Sequence, residues 1–160
     1  MKFKIAFIAA ALALSSSAFA ADKKTSISVF GNVSGSSGAD PVGTVAVSFG
    51  RLITDSFEVG AQYVTSFSSG NTFRIGGVNA KYYFGTVGKA GSVLPYVTAA
   101  VGASGSDQTS TGHNLQAGVG AEFVITESAS TFVEAVYDRN TVNSRTTNGY
   151  QAQVGIKLRF

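Results

Sequence analysis

Residues 149–160 alternate without a break. Tyr150, Ala152, Val154, Ile156, Leu158 and Phe160 form one row, and Gln151, Gln153, Gly155, Lys157 and Arg159 the other. A period of two is that of a β-strand, whose successive side chains leave opposite faces of the sheet. This strand therefore has one apolar face and one face of polar residues and glycine. In a water-soluble barrel or sandwich the apolar row would turn toward a core. In a membrane barrel the same row faces lipid and the polar row lines a lumen. An aromatic residue closing the apolar row suits the membrane alternative.

The rest of the chain repeats the pattern. Strands are expected over 25–35, 42–52, 57–67, 72–84 and 94–103. A sixth carries Leu115, Ala117, Val119, Ala121, Phe123 and Ile125 against Asn114, Gln116, Gly118, Gly120, Glu122 and Val124. A seventh sets Val133, Ala135 and Tyr137 against Phe132, Glu134, Val136 and Asp138. In 72–84 the apolar Phe73 and Ile75 fall out of phase with Val78, Ala80 and Tyr82, which predicts a bulge near Gly76-Gly77. Turn clusters separate these runs, at 35–41, 54–56, 68–71 and 126–128, and longer connections at 85–93, 104–112 and 139–148. Helix formers are scarce and β-branched and aromatic residues plentiful, so the fold is all-β. Strands of about ten residues suit a bilayer crossing at a tilt of about 45°. An even number brings both ends to one side, and closing the sheet leaves no unpaired edge in lipid. The expected architecture is a closed eight-stranded antiparallel up-and-down transmembrane β-barrel over residues 21–160.

Residues 1–20 read as a secretory signal peptide. Lys2 and Lys4 precede an apolar run over 5–14, and Ala18-Phe19-Ala20 presents small residues for cleavage before Ala21. Ten apolar residues are too few for a spanning helix. Cleavage leaves ten basic against nine acidic side chains, so the sequence pI of 9.3 marks no nucleic-acid surface. The absence of cysteine excludes a disulfide scaffold and thiolate metal sites.

The segment 153–160 resembles the terminal assembly signal of bacterial outer-membrane barrels. The matching positions are Gln153, Gly155, Leu158 and Phe160, a polar residue, a glycine and two hydrophobics separated by one residue. In pattern the whole mature chain resembles the small eight-stranded outer-membrane barrels of the OmpX-like and OmpA-barrel-like kind. The resemblance implies export by the general secretory route, insertion by the barrel-assembly machinery, and a monomer in the outer membrane of a Gram-negative bacterium. It implies contact with outer-membrane lipids and lipopolysaccharide. The periplasmic carboxyl-terminal domain of longer relatives is not expected here, nor is peptidoglycan anchoring.

Eight strands enclose a lumen just wide enough for side chains to fill. Its inward rows supply Glu58, Gln62, Lys81, Gln116, Glu122, Glu134, Gln151, Gln153, Lys157 and Arg159. Opposite charges should pair there, because an unpaired charge in a poorly hydrated lumen is costly. The central expectation is a polar cluster of Glu58, Lys81, Glu122, Glu134 and Lys157, with Glu122, Glu134 and Lys157 together. Arg139 and Arg145 are candidate lipopolysaccharide contacts, since arginine's forked donors suit phosphate. His113 lies near Ser110 and Asp107, but His113-Asn114-Leu115 lacks the His-any-Ser pattern of the lipid A deacylases. No catalytic residue, cofactor, metal or nucleic-acid partner is expected. A structural or surface-interaction barrel is the expected role. A narrow channel or carrier for small solutes and a lipid A-modifying enzyme are the alternatives.

Overall fold

The computed structural model describes residues 24–34, 42–68, 71–106 and 112–160. The expected signal peptide, residues 1–20, and the turn cluster 35–41 lie outside the described residues, as do 69–70 and 107–111. Eight strands follow one another: β1 Thr25–Ser34, β2 Val42–Thr54, β3 Phe57–Ser68, β4 Asn71–Tyr83, β5 Val93–Ser106, β6 Gly112–Thr126, β7 Ala129–Val142 and β8 Arg145–Arg159. Each pairs antiparallel with the next, and β8 pairs with β1 to close a barrel. The closing seam is short. Among the described residues it runs from Ser26 opposite Arg159 to Gly31 opposite Val154, whereas β7 and β8 pair from Ala129 opposite Leu158 to Val142 opposite Arg145. At the terminal end, Thr25 and Phe160 exchange backbone hydrogen bonds of 3.2 and 3.0 Å.

Alternation sorts the side chains into an outer wall and a lumen. Val45, Val78, Val119, Val154 and Ile156 are more than half exposed, while Ser28, Ser48, Glu58, Lys81, Glu122 and Lys157 are buried. This inverts the arrangement of a water-soluble barrel. Not every inward residue is polar. Leu52, Tyr83, Leu94, Tyr96, Val124 and Phe132 pack together toward the terminal end, and Ala46, Val64 and Ile75 pack toward the far end with Phe30 and Phe73 against them.

That second cluster corrects the bulge expected near Gly76-Gly77. β4 keeps an unbroken register with both neighbours across these glycines. Phe73 and Ile75 stand in phase with Asn79 and Lys81 because they line the lumen themselves. The ladder shifts instead at Leu52/Thr54 and Val124/Thr126, beside two turns of the same chemistry. In each, a threonine hydroxyl accepts from the backbone N–H two residues on: Ser56 to Thr54 at 3.3 Å and Ser128 to Thr126 at 3.2 Å.

Two of the expected polar loops are also corrected. Ser104–Ser106 belong to β5 and Gly112 to β6. The stretch 139–148 is strand except for Asn143-Ser144, whose φ values of 49° and 63° make the tight turn that suits a twisted hairpin. Threonine and valine carry the ladder through a segment whose polarity looked like a loop. The connection 84–92 folds back at the terminal end. Val87 donates to the Asp55 carbonyl at 3.1 Å, Gly91 donates to that of Val124 at 2.8 Å, and Val87 packs against the cluster around Tyr83.

Candidate functional site in the lumen

Lys157 on β8 is the centre of the first ionic group. Its ammonium donates to both Glu58 carboxylate oxygens, at 2.9 and 3.1 Å, and to the Tyr83 hydroxyl at 2.6 Å. It also stands 3.5 Å from Glu122, whose other oxygen is ion-paired with Arg159. Tyr83 and Ser130 donate to Glu122 at 3.1 and 2.7 Å. Gly50 makes room for this group, because a Cβ there would lie 2.6 Å from the Glu58 oxygen.

The second group surrounds Glu134 on β7. Lys81 reaches it at 2.9 Å, the Tyr96 hydroxyl donates to it at 2.7 Å and the Gln153 amide at 2.9 Å. Lys81 also lies over the rings of Tyr96 and Phe132, 4.5 and 4.8 Å from their centroids. Tyr96 can lie in this position because Gly120 stands opposite; a Cβ there would meet the tyrosine hydroxyl at 2.6 Å. Three carboxylates thus face three cations, and every one of the six side chains is buried. Such a set adds little net stability compared with apolar packing, but losing one member leaves a buried charge unpaired.

The expected grouping of Glu122, Glu134 and Lys157 is therefore divided. Glu122 joins Lys157 and Glu58, while Glu134 is held by Lys81 across the lumen. Sequence reasoning missed the two tyrosines that bridge the charges. Their signal was present, since Tyr83 continues the inward row of Asn79 and Lys81, but a tyrosine in such a row reads as packing.

Neutral groups continue the filling. Gln62 donates to Gln116 at 2.8 Å and Asn32 to Gln151 at 2.9 Å. The cavity between Ser28, Asn79, Lys81, Gln116 and Glu134 measures about 10 Å³, room for one water molecule.

The remaining candidates lie apart. His113 is exposed, opposite Ala103 and Thr141 on the outer wall; Asp107 and Ser110 are outside the described residues. Arg139 is exposed on the outer wall, between Leu115 and Asn148. Arg145 is exposed at the hairpin tip, in the phase of the inward row. Of the terminal motif, Leu158 faces out, Gly155 leaves room for the ring tip of Phe132 and the Cβ of Phe30, and Gln153 is a partner of Glu134. Among the described residues, no three His, Cys, Asp or Glu side chains gather as a metal site.

No protein-family model matches the chain, and no curated protein does. Solved structures do. Neisserial surface protein A (NspA) is similar at 16% identity, with a TM-score of 0.66 over 85% of this chain and 95% of that one. The N-terminal β-barrel domain of Pseudomonas aeruginosa OprF is similar at 21% identity, with a TM-score of 0.62 over 86% and 98%. A structure from the de novo design of transmembrane β-barrels is similar at 14% identity, with a TM-score of 0.56 over 89% and 100%. At these identities the likeness is one of fold.

Proposed function

We propose that this chain, which has the fold of the small eight-stranded outer-membrane barrels, is itself an integral outer-membrane protein with a structural or surface-interaction role and no catalytic turnover. The observation that carries the reading is the outer wall. Val154, Ile156 and Leu158 are 61, 59 and 49% exposed along one strand, and the neighbouring strands continue the apolar surface. A patch of that extent is an aggregation hazard in water and is what a barrel presents to lipid. The lumen supports a closed barrel rather than a pore, because its charges are mutually paired and its side chains fill the space.

Residues 1–20 would direct export, and the β8 motif would be read by the barrel-assembly machinery. Arg139 is the better placed of the two arginines for lipopolysaccharide phosphate, since it stands on the outer wall. Arg139→Ala should lower lipopolysaccharide retention on purification, and Arg145→Ala should leave it unchanged. The main test is outer-membrane fractionation with gel electrophoresis of heated and unheated samples. A membrane-embedded barrel migrates differently before and after heating; mature protein that stays monomeric in detergent-free buffer would sink the proposal. Planar-bilayer recording separates the closed barrel, which gives no stable conductance, from a narrow channel.

A further inference from the structure

The charge on the outer wall has one sign. Among the described strand residues that face outward, the charged or titratable side chains other than tyrosine are Arg51, Arg74, His113 and Arg139, with no carboxylate among them. Arg51 lies toward the terminal end, opposite Thr25, and the other three lie toward the far end. His113 and Arg139 share one face of β6, β7 and β8, where the register sets side chains in rows. Ala117, Tyr137 and Tyr150 form the first row, with the tyrosine ring centroids 5.1 Å apart. Leu115, Arg139 and Asn148 form the second. His113, Thr141 and Thr146 form the third, with the two threonine hydroxyls 3.2 Å apart.

Successive rows are about 7 Å apart along the strand. Toward the terminal end, the rows Val119, Ala135, Ala152 and Ala121, Val133, Val154 are wholly apolar. Tyrosines belong where an apolar wall meets a wet boundary, with the ring in one and the hydroxyl in the other. Arg139 and Asn148 therefore stand one row beyond that boundary, and His113, Thr141 and Thr146 two rows beyond, at the depth of lipid headgroups. His113 and Arg139 are diagonal neighbours across the β6–β7 ladder, a separation of about 7–8 Å that long side chains can close. Both are exposed, and among the described residues no ion pair or hydrogen bond engages either.

We propose that His113, Arg139, Thr141 and Asn148 bind the phosphomonoester of a membrane glycolipid in the leaflet at the far end, with Tyr137 and Tyr150 packed against its sugar. The site rests on the reading that lipid meets the outer wall, and it gives the Arg139 contact a second cation and a defined chemistry. The donors decide the class of phosphate. The Arg139 fork, the His113 imidazole, the Thr141 hydroxyl and the Asn148 amide exceed what the two free oxygens of a phosphodiester take up. A monoester offers three oxygens and up to two negative charges. With no outward-facing carboxylate among the described strand residues, nothing on this face opposes that charge. Tyr150, 84% exposed, offers a broad ring face for a pyranose.

The test is native mass spectrometry of full-length mature protein, refolded in nonionic detergent from lipopolysaccharide-free material and shown to be folded by heat-modifiable gel mobility. Apparent affinities are measured for diphosphoryl lipid A, for the same lipid stripped of both phosphates, and for phosphatidylglycerol, a diester. Lipid A should bind saturably, at least about tenfold more tightly than either comparison lipid, as charge-assisted hydrogen bonds require. Arg139→Ala should weaken it about tenfold and His113→Ala about threefold. His113→Arg should tighten it, since a second fork replaces the imidazole. Arg145→Ala should leave it unchanged; a loss there equal to that of Arg139→Ala marks unspecific charge attraction and overturns the site. Equal binding of the dephosphorylated lipid or of phosphatidylglycerol also overturns it, as does a His113→Ala titration that overlays the wild type. Should an alanine variant fail to fold, His113→Arg binding no more tightly than the wild type overturns it alone. Protein that forms a heat-modifiable barrel without this lipid preference loses the site and keeps the barrel.

Discussion

Replacing Lys157 by methionine should be among the most damaging single changes available in the lumen, and for a specific reason. Lys157 is the one hydrogen-bonding and ion-pairing partner of Glu58 among the described residues, and Glu58 is 3% exposed. Its loss leaves that carboxylate buried and unpaired, which costs about 3–5 kcal/mol. Lys81→Met is a built-in comparison. Glu134 would keep its hydrogen bonds from Tyr96 and Gln153, so the expected cost is lower, about 1.5–3 kcal/mol. The double variant Glu58→Gln/Lys157→Met removes both members and should recover much of the loss, because replacing a whole buried pair is often close to neutral. The chain has no tryptophan, so unfolding in urea is followed by circular dichroism and gel mobility in detergent or lipid. A Lys157→Met cost below about 1 kcal/mol, or a double variant no more stable than the single one, would refute the reasoning.

Three other outcomes follow from the structure. Val154→Arg should destabilise the protein by about 2–4 kcal/mol in lipid vesicles if that site is near the bilayer midplane, whereas an exposed site in water would change by about 0.5 kcal/mol at most; equilibrium unfolding separates the two. Gly120→Ala should cost about 1–3 kcal/mol, since the new methyl group displaces the Tyr96 ring that reaches Glu134; unfolding midpoints measure it. Ser144→Gly should stabilise the β7–β8 hairpin by about 1 kcal/mol, because Ser144 holds a φ of 63° that glycine adopts freely; a higher urea midpoint is the readout.

Alternation made the architecture legible, because a one-residue error in phase would turn an entire row from one face to the other. Thus Glu58, Lys81, Glu122, Glu134 and Lys157 could all be assigned to the interior before any partner was known. Partners were not legible. Which of two lysines meets Glu134 depends on how the strands are staggered around the ring, and alternation along single strands carries no such information. Polarity misled where it was read as looseness: Arg139, Asn140 and Thr141 are ladder residues. It misled again where the lumen was taken as uniformly polar, which turned Phe73 and Ile75 into an apparent break.

The brevity of the β1–β8 seam has a kinetic consequence. It joins the two strands farthest apart in sequence, so its formation carries the largest chain-closure entropy in the molecule while giving few backbone bonds in return. Every other strand pair is adjacent in sequence and can zip from the short connection between its strands. The ring should therefore close last and reopen first, as an unrolled sheet swinging on its intact hairpins. Amide protons along Ile27–Gly31 should then exchange with solvent sooner than those of β6, where both edges are held along their length.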